Sequence, residues 1–386
     1  MTSRDQYWAK NVRYFFVLQL SIFYLVATSV AAGSCKLLCK SEWISVATYD
    51  QILERVVLYD EDINGAGSRG FTDPSPPLFL AAESNNLVAV SALLKLGADV
   101  NIKTFGGWTP IFAAENLDIA KALIKAGADL NMRNDYGWVP LHIIKNEDVW
   151  FLLRDSGANI RLRNEVGVTT IMTAQSLKIF EFLLAEGLNP LEVALDQSNA
   201  LFYSTSGEVI AELIKLGLDL NKRNKTGDTP LHKNPSALSI AYLISAGADI
   251  YARNEKGLTP LNSTWRNDGV LDVYCKTDPA LFEERNREGN LLIHTALERF
   301  GSASNDQIEK IVQCTANLEL TNGDGQTALH LAADGIYPEF VKILLDAGAD
   351  AKATDKSGKT PFDVAKDNFM FDDKELLWEL SEARFK

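Results

Sequence analysis

The chain has 386 residues, with 38 Lys or Arg against 51 Asp or Glu, so its formal net charge at pH 7 is −13. Phosphate contacts need a clustered positive field, and the acidic balance therefore argues against nucleic acid as a partner. The apolar fraction of 46% and the charged fraction of 23% are typical of a folding chain rather than a disordered one. Four His and four Cys are available for metal or nucleophile chemistry.

Residues 1–32 have the order of a secretory signal peptide. Three basic residues near the start precede an apolar run over residues 14–32, and small residues follow that run. This order predicts export, with cleavage after Ala31 or Ala32. At about 1.5 Å per residue the run also nearly spans a hydrocarbon core of about 30 Å, so an uncleaved membrane anchor is an alternative, and lipidation of Cys35 is another. All three place the rest of the chain outside the cytosol, in the periplasm or secreted.

A Gly-Ala-Asp triplet, or a close variant of it, returns every 30 residues through the middle of the chain. Its copies begin at Gly97, Gly127, Gly157, Gly187, Gly217 and Gly247, with one more at Gly348. A second marker, Thr-Pro followed by an apolar residue, starts at Thr109, Thr229, Thr259 and Thr360. Five exact returns at one period indicate a repeat architecture.

One unit, residues 109–130, shows what each repeat encodes. Thr109 and Pro110 are a capping hydroxyl and a proline suited to a helix start, and the apolar residues after them predict a short first helix. Apolar spacing over residues 118–124 predicts a second helix, which Gly127 would end. The 30-residue units lack three residues between the two helices, so we expect their first helices to be clipped. Neither helix buries enough apolar surface alone, and stability must come from stacking on neighbours.

These landmarks resemble the ankyrin-repeat family, whose unit carries Thr-Pro-Leu-His and Gly-Ala-Asp, and residues 326–355 match best. The resemblance implies an all-α solenoid of helix-turn-helix units with β-hairpin-like fingers. We assign about nine units to residues 73–386, closed by a C-terminal capping helix, and an N-terminal cap and half repeat to residues 33–72. The pattern is degenerate at residues 190–206 and 262–315.

Export would expose the cysteines to oxidation. Cys35 and Cys39 lie one helical turn apart, and Cys275 and Cys314 lie near the ends of second helices in neighbouring repeats. We therefore predict disulfides 35–39 and 275–314. Four buried thiols are the alternative.

A cation stands at the same finger position of most repeats, with aromatic residues beside it at the finger tips. Exposed Arg and aromatic side chains are frequent anchors of protein interfaces. The alternative is a solvated face on which these cations pair with nearby acids. The predicted partner-binding residues are Lys103, Phe105, Trp108, Arg133, Tyr136, Trp138, Arg163, Arg223 and Arg253, and Arg285 continues the series.

Motifs for chemistry are weak, and we predict no catalytic, cofactor or metal residue. All four histidines, His142, His232, His294 and His330, hold one repeat position, where the resemblance implies hydrogen bonds to backbone. A GxGxxG at residues 65–70 precedes a proline-rich stretch rather than a helix, which disfavours a dinucleotide site. The start of a calcium loop at residues 60–65 has Phe71 where a bidentate Glu is required.

The sequence thus predicts a non-enzymatic protein-interaction module or scaffold outside the cytosol. It would bind an unknown protein through the concave face and finger tips of the stack. A membrane-anchored scaffold is one alternative. The alternative of another class is an enzymatic or metal-dependent activity within residues 262–315, where Trp265, Asp272 and Cys275 have no evident repeat role.

Overall fold

The structure is a computed structural model that describes Leu38 and residues 40–58, 62–65, 75–234, 236–297, 303–368 and 374–383. The predicted export segment, Cys35 and Cys39 lie outside the described residues. The described chain divides into two compact units, one ending at Asp135 and the other beginning at Tyr136. Each unit is a stack of short helices.

The first unit pairs its helices through tight turns. They are α1 (Ser41–Ile44), α2 (Tyr49–Leu58), α3 (Pro77–Glu83), α4 (Leu87–Lys95), a 3₁₀ helix (Pro110–Ala113) and α5 (Leu117–Lys125). Side chains of Asn residues link the turns that follow successive second helices. The backbone N–H of Asp99 donates to Oδ1 of Asn64 at 2.8 Å, and that of Asp129 donates to Oδ1 of Asn101 at 2.8 Å. Asn64 therefore makes the link that Asn101 makes one repeat later.

The second unit continues the same pairing over a longer stretch. Its described helices are α6 (Pro140–Ile143), α7 (Glu147–Asp155), α8 (Leu177–Ala185), a 3₁₀ helix (Ala200–Phe202), α9 (Gly207–Lys215), α10 (Pro230–Lys233), α11 (Ala237–Ser245), α12 (Pro260–Thr264), α13 (Val270–Thr277), a 3₁₀ helix (Pro279–Glu283), α14 (Leu292–Ala296), α15 (Asn305–Cys314), α16 (Ala328–Asp334), α17 (Pro338–Asp346), α18 (Pro361–Asp367) and α19 (Lys374–Ala383). Among the described residues no strand forms, and the one isolated β-bridge joins Arg163 to Thr169. The predicted all-α repeat fold is confirmed, with fingers that are hydrogen-bonded turns.

First helices are short wherever the repeat has 30 residues. Residues 110–113 form a single 3₁₀ turn, α6 has four residues, and residues 170–173 form only turns. In the longer repeat that follows Thr327, α16 has seven residues. The three missing residues are thus taken from the end of the first helix, as their count predicts.

The second helices of the repeats are capped at both ends. A side-chain oxygen at the N-cap accepts a hydrogen bond from a backbone N–H in the first turn, which satisfies a donor that the helix leaves unpaired. Gly217 ends α9 with a φ of +87°, a value that favours glycine, and the N–H of Leu218 bonds back to the carbonyl of Leu213 at 3.1 Å. The N-caps of this kind in the 30-residue spacing are Asn86, Asn116, Asn146, Ser176, Ser206 and Ser236.

Most fingers in the second unit are closed by an asparagine, whereas Asp355 closes the last finger and Ala194 holds the position in another. Oδ1 of Asn224 accepts the N–H groups of Thr226 and Asp228, both at 3.0 Å, and its own N–H donates to the carbonyl of Asp228 at 2.9 Å. Gly227 lies inside this turn with a φ of +71°. An Asn side chain that bonds backbone two and four residues on gives the tip a fixed shape without a strand.

Candidate partner-binding site

The cations predicted at the fingers of the second unit bind neighbouring fingers. Nη1 of Arg253 donates to the carbonyl of Gly257 at 2.9 Å and to that of Arg285 at 2.8 Å. Arg223 and Arg285 make the same pair of contacts, to their own finger and to the next. One Nη1 group carries two N–H bonds and can therefore donate to two convergent carbonyls. These side chains therefore have a structural role in joining repeats, on a surface that stays exposed to solvent.

Acidic side chains also form ion pairs with two of the predicted finger cations. Nη2 of Arg163 lies 2.7 Å from Oε2 of Glu192, and Nη2 of Arg253 contacts Glu284. In the first unit, Nζ of Lys103 donates to the carbonyl of Arg133 at 3.3 Å. Pairing with nearby acids is what the solvated-face alternative expects, and partner binding through these cations stays a prediction.

The aromatic candidates differ in exposure. Phe105 is 90% exposed and Tyr136 61% exposed, each on a finger tip. Trp108 and Trp138 are half-buried, and each packs edge to face on the residue four positions on, Phe112 at 5.2 Å and His142 at 5.4 Å between ring centroids. The two tips therefore present apolar surface to solvent, as protein-binding surfaces do.

A groove of about 560 Å³ lies in the first unit, and Trp108 is the predicted site residue that lines it. The groove runs along the ends of α3 and of the 3₁₀ helix Pro110–Ala113. Its lining residues are Phe79, Ala82, Glu83, Asn85, Trp108, Phe112, Ala113, Glu115 and Asn116. Lys103 and Phe105 do not line it, so of these three predicted residues Trp108 alone belongs to the groove.

Residue type explains where the groove forms. Phe79 and Phe112 hold the position that histidine holds in the Thr-Pro-Leu-His repeats, and the next residue after Phe112 is the small Ala113. Larger or longer side chains take the place of Ala113 in the following repeats. They are Ile143, Thr173, Tyr203 and Lys233. Sequence reasoning missed this groove because it examined Trp108 as a finger residue rather than beside the first helices.

The histidines are structural. Nδ1 of His232 accepts the N–H of Thr229 at 3.1 Å, and Nε2 lies 3.0 Å from the carbonyl oxygen of Leu258 in the next repeat. His294 and His330 make the equivalent bonds, and His142 accepts the N–H of Val139 at 3.3 Å. Backbone bonding of these imidazoles, which the repeat position implied, is confirmed in this structure.

The degenerate stretch 262–315 also has a structural explanation. Trp265 is buried, Oδ1 of Asp272 pairs with Nζ of Lys310 at 2.7 Å, and Sγ of Cys275 lies 2.03 Å from Sγ of Cys314. The last pair joins α13 to α15, the second helices of neighbouring repeats. Each residue without an evident repeat role is thus used in packing or in a link between repeats.

The described residues hold neither a metal-binding cluster nor a membrane-spanning helix. No group of three or more His, Cys, Asp or Glu side chains in that part of the chain converges to hold a metal ion. No helix in the same residues has the length and apolarity needed to cross a membrane. Asp60 and residues 66–70 of the weak calcium and GxGxxG motifs lie outside them.

Comparison with known families agrees with this geometry. Sequence profiles of ankyrin repeats match residues 44–134, 78–164 and 311–365. These segments are ankyrin repeats. The helix pairs between residues 165 and 310 repeat the same caps, fingers and histidine bonds, so ankyrin-type units continue between the matched segments.

Individual relatives are similar over short stretches. The chain is 35% identical over 96 residues to the NF-kappa-B inhibitor cactus of Drosophila yakuba, which is 22% of this chain and 20% of cactus. It is 36% identical over 94 residues to the mouse B-cell lymphoma 3 protein homolog, 24% of this chain and 21% of the relative. A rice zinc finger CCCH domain-containing protein 24 is 56% identical over 61 residues, 15% of this chain and 8% of that protein. The chain spans about one fifth of the length of the first two relatives.

Proposed function

We propose that this chain is a non-enzymatic interaction module that binds a partner protein through the finger tips and the groove of the first unit. The groove lined by Trp108 is the observation that carries the proposal, because a half-buried Trp beside an open cavity is a frequent anchor point for a partner. The fully exposed ring of Phe105 on a finger of the same unit adds apolar surface. Ankyrin repeats present such surfaces on a scaffold that is ordered before binding, which lowers the entropic cost of association.

The described His and Cys residues that could carry catalysis have structural roles, which supports a non-enzymatic function. Backbone bonds engage the described histidines, and Cys275 faces Cys314 at bonding distance. The relative cactus is itself named as an inhibitor of NF-kappa-B, which is a regulatory role. We extend to this chain only the idea of regulation by binding, with the partner unidentified.

Site-specific photo-crosslinking in the native host tests the proposal. The crosslinker p-benzoylphenylalanine replaces Phe105 in one full-length variant and Leu238, which is 62% exposed on α11, in a matched control. We expect a defined crosslinked partner from position 105 that is absent from position 238 and lost when Trp108 is changed to Ala. Equal crosslinking at both positions would remove the first unit as the binding surface.

The cation series is tested separately. Alanine replacement of Arg133, Arg163 and Arg223 together weakens partner capture if these residues form part of the interface. Unchanged capture by a variant that still folds would leave them with the structural role alone.

We also propose that the module works outside the cytosol, either released or anchored through residues 14–32. The order of residues 1–32 supports this location, and a Cys275–Cys314 link between repeats fits an oxidising compartment. Intact mass of the native protein in soluble and membrane fractions tests it. A start near Gly33 would indicate a released module and a start at Met1 in membranes an anchored one. A full-length chain in soluble cytosol would overturn the proposal.

A further inference from the structure

We propose that the groove of the first unit binds the cationic side chain of an Arg or Lys in an extended segment of the partner protein. This inference rests on the proposed function and specifies the partner's chemistry. It comes from the combination of an aromatic floor, an acidic rim and an open shape in one cavity.

The floor of the groove is aromatic. Phe79, Trp108 and Phe112 line it, with the Trp108 and Phe112 rings 5.2 Å apart at an interplanar angle of 81°. An ammonium or guanidinium group is attracted to the face of an aromatic ring, and most strongly to that of Trp. The methylene stem of Lys or Arg packs on the same apolar surface. A long cationic side chain can therefore place both its charged head group and its methylene stem on the aromatic rings.

The rim of the groove is negative. Glu83 and Glu115 are exposed at its edge, and Glu83 is the last residue of α3. The carbonyl end of a helix carries partial negative charge, so an acid there is unfavourable for the helix itself. The Glu83 carboxylate and the helix end thus add their fields, which favours a cation in the groove and disfavours an anion.

The same position changes character in the following repeats. Where the first unit has Glu115, later 30-residue repeats have Lys145, Gln175, Thr205 and Pro235. The acidic rim thus coincides with the repeat in which Ala113 leaves the cavity open. The charge and the space that a cationic side chain needs occur together at this place in the chain.

The open side of the groove suits a partner segment in an extended conformation. The groove is open to solvent along Glu83, Asn85 and Glu115, and its volume of about 560 Å³ exceeds what one side chain fills. The backbone of a partner strand can therefore lie along the rim while one side chain enters. Asn85 offers an amide group there to a passing backbone.

Selection from a random 12-residue peptide library on the full chain tests the inference, with counter-selection on a Trp108→Ala variant. The key variant is Glu83→Gln with Glu115→Gln, which keeps side-chain shape and removes the rim charge. Glu181→Gln with Glu208→Gln is the matched control, because both residues are exposed in the second unit and the change in net charge is the same.

We expect peptides that depend on Trp108 to be enriched in Arg or Lys. Their Kd should rise about tenfold on the Glu83→Gln/Glu115→Gln variant and stay unchanged on the control. Binding should also weaken with added salt. Trp108-dependent peptides without basic enrichment, or binding insensitive to the rim charges, would overturn the inference and leave the proposed function standing. If no selected peptide depends on Trp108 or Phe105, both the inference and the proposed function fail.

Discussion

Nε2 of His294 lies 3.1 Å from the carbonyl oxygen of Leu320 and links two repeats of the second unit. Nδ1 of the same ring accepts the N–H of Leu291 at 3.1 Å, so the proton is assigned to Nε2 and is donated to Leu320. Burial, opposed by this backbone bond, lowers the pKa of His294 from 6.5 to about 4. The imidazole is therefore neutral in the folded protein at neutral pH.

Replacing His294 with Asn should flatten the dependence of stability on pH. The unfolded chain takes up the proton near pH 6.5 and the folded chain near pH 4, so stability is fully present above 6.5 and falls as the pH drops through that window. Asn262 holds the equivalent position in its own repeat, where its Oδ1 accepts the hydroxyl of the N-cap residue Thr259 at 2.9 Å and does not titrate. Between pH 7 and 4.5 the variant should lose about 2 kcal/mol less unfolding free energy than the wild type. Urea denaturation at both pH values measures this, and parallel losses would contradict it.

Asp228 should stabilise the second unit as a buried carboxylate. Burial acts to raise its pKa, but hydrogen bonds from Thr226 and Asn254 and the charge of Lys233 outweigh burial and hold the pKa below its ordinary value. That stability is present above about pH 4 and is lost as the pH falls through the folded pKa. Asp228→Asn should therefore cost about 1 kcal/mol at pH 7, with the difference vanishing in acid. Denaturant titrations of this variant beside Asp268→Asn, at an exposed site, provide the check, and equal effects would refute the role.

The link between Cys275 and Cys314 should contribute to the stability of the second unit. It closes a sequence separation of 39 residues, and a bridge of that size stabilises by about 2–4 kcal/mol. Cys275→Ala with Cys314→Ala should lower the denaturation midpoint in oxidising buffer. In the presence of a phosphine reductant the wild type should approach the variant. A wild type that does not respond to reductant would show that this pair contributes nothing.

Two glycines allow backbone strain to be separated from crowding. Gly217 and Gly227 both have positive φ, but a methyl group at Gly217 would meet no atom within 4 Å, whereas one at Gly227 would lie 2.9 Å from the backbone nitrogen of Glu255. Gly217→Ala should cost about 1 kcal/mol from conformation alone. Gly227→Ala should cost more because the next finger must also move. Thermal unfolding of both variants compares them directly, and equal shifts would argue against contact between the fingers.

Sequence patterns were sufficient for the fold because each landmark has a local cause. Pro110 begins a 3₁₀ helix and Gly127 ends α5 without help from distant residues, although the Thr109 hydroxyl makes none of the capping hydrogen bonds predicted for it. The capping series of Asn and Ser is also readable at a spacing of 30. Histidine bonds could be inferred because the same residue recurs at one repeat position.

Features that depend on packing between several repeats are harder to predict from the sequence. The residue type of Arg253 and its finger position favour a binding role. Its carbonyl partners lie in its own finger and in the next one, and a linear sequence pattern does not reveal them. The groove was missed because its walls come from residues about 30 positions apart, and its opening depends on the small size of Ala113. Packing between repeats, rather than local propensity, decides both.

Two of the links between neighbouring fingers end on backbone carbonyls. Arg223 reaches the carbonyl of Arg253, and Arg253 that of Arg285. Every residue type offers such an oxygen, so these two links do not require a particular side chain in the next unit. Duplication or loss of one 30-residue segment would therefore preserve links of this kind, while the groove-lining residues diversify independently.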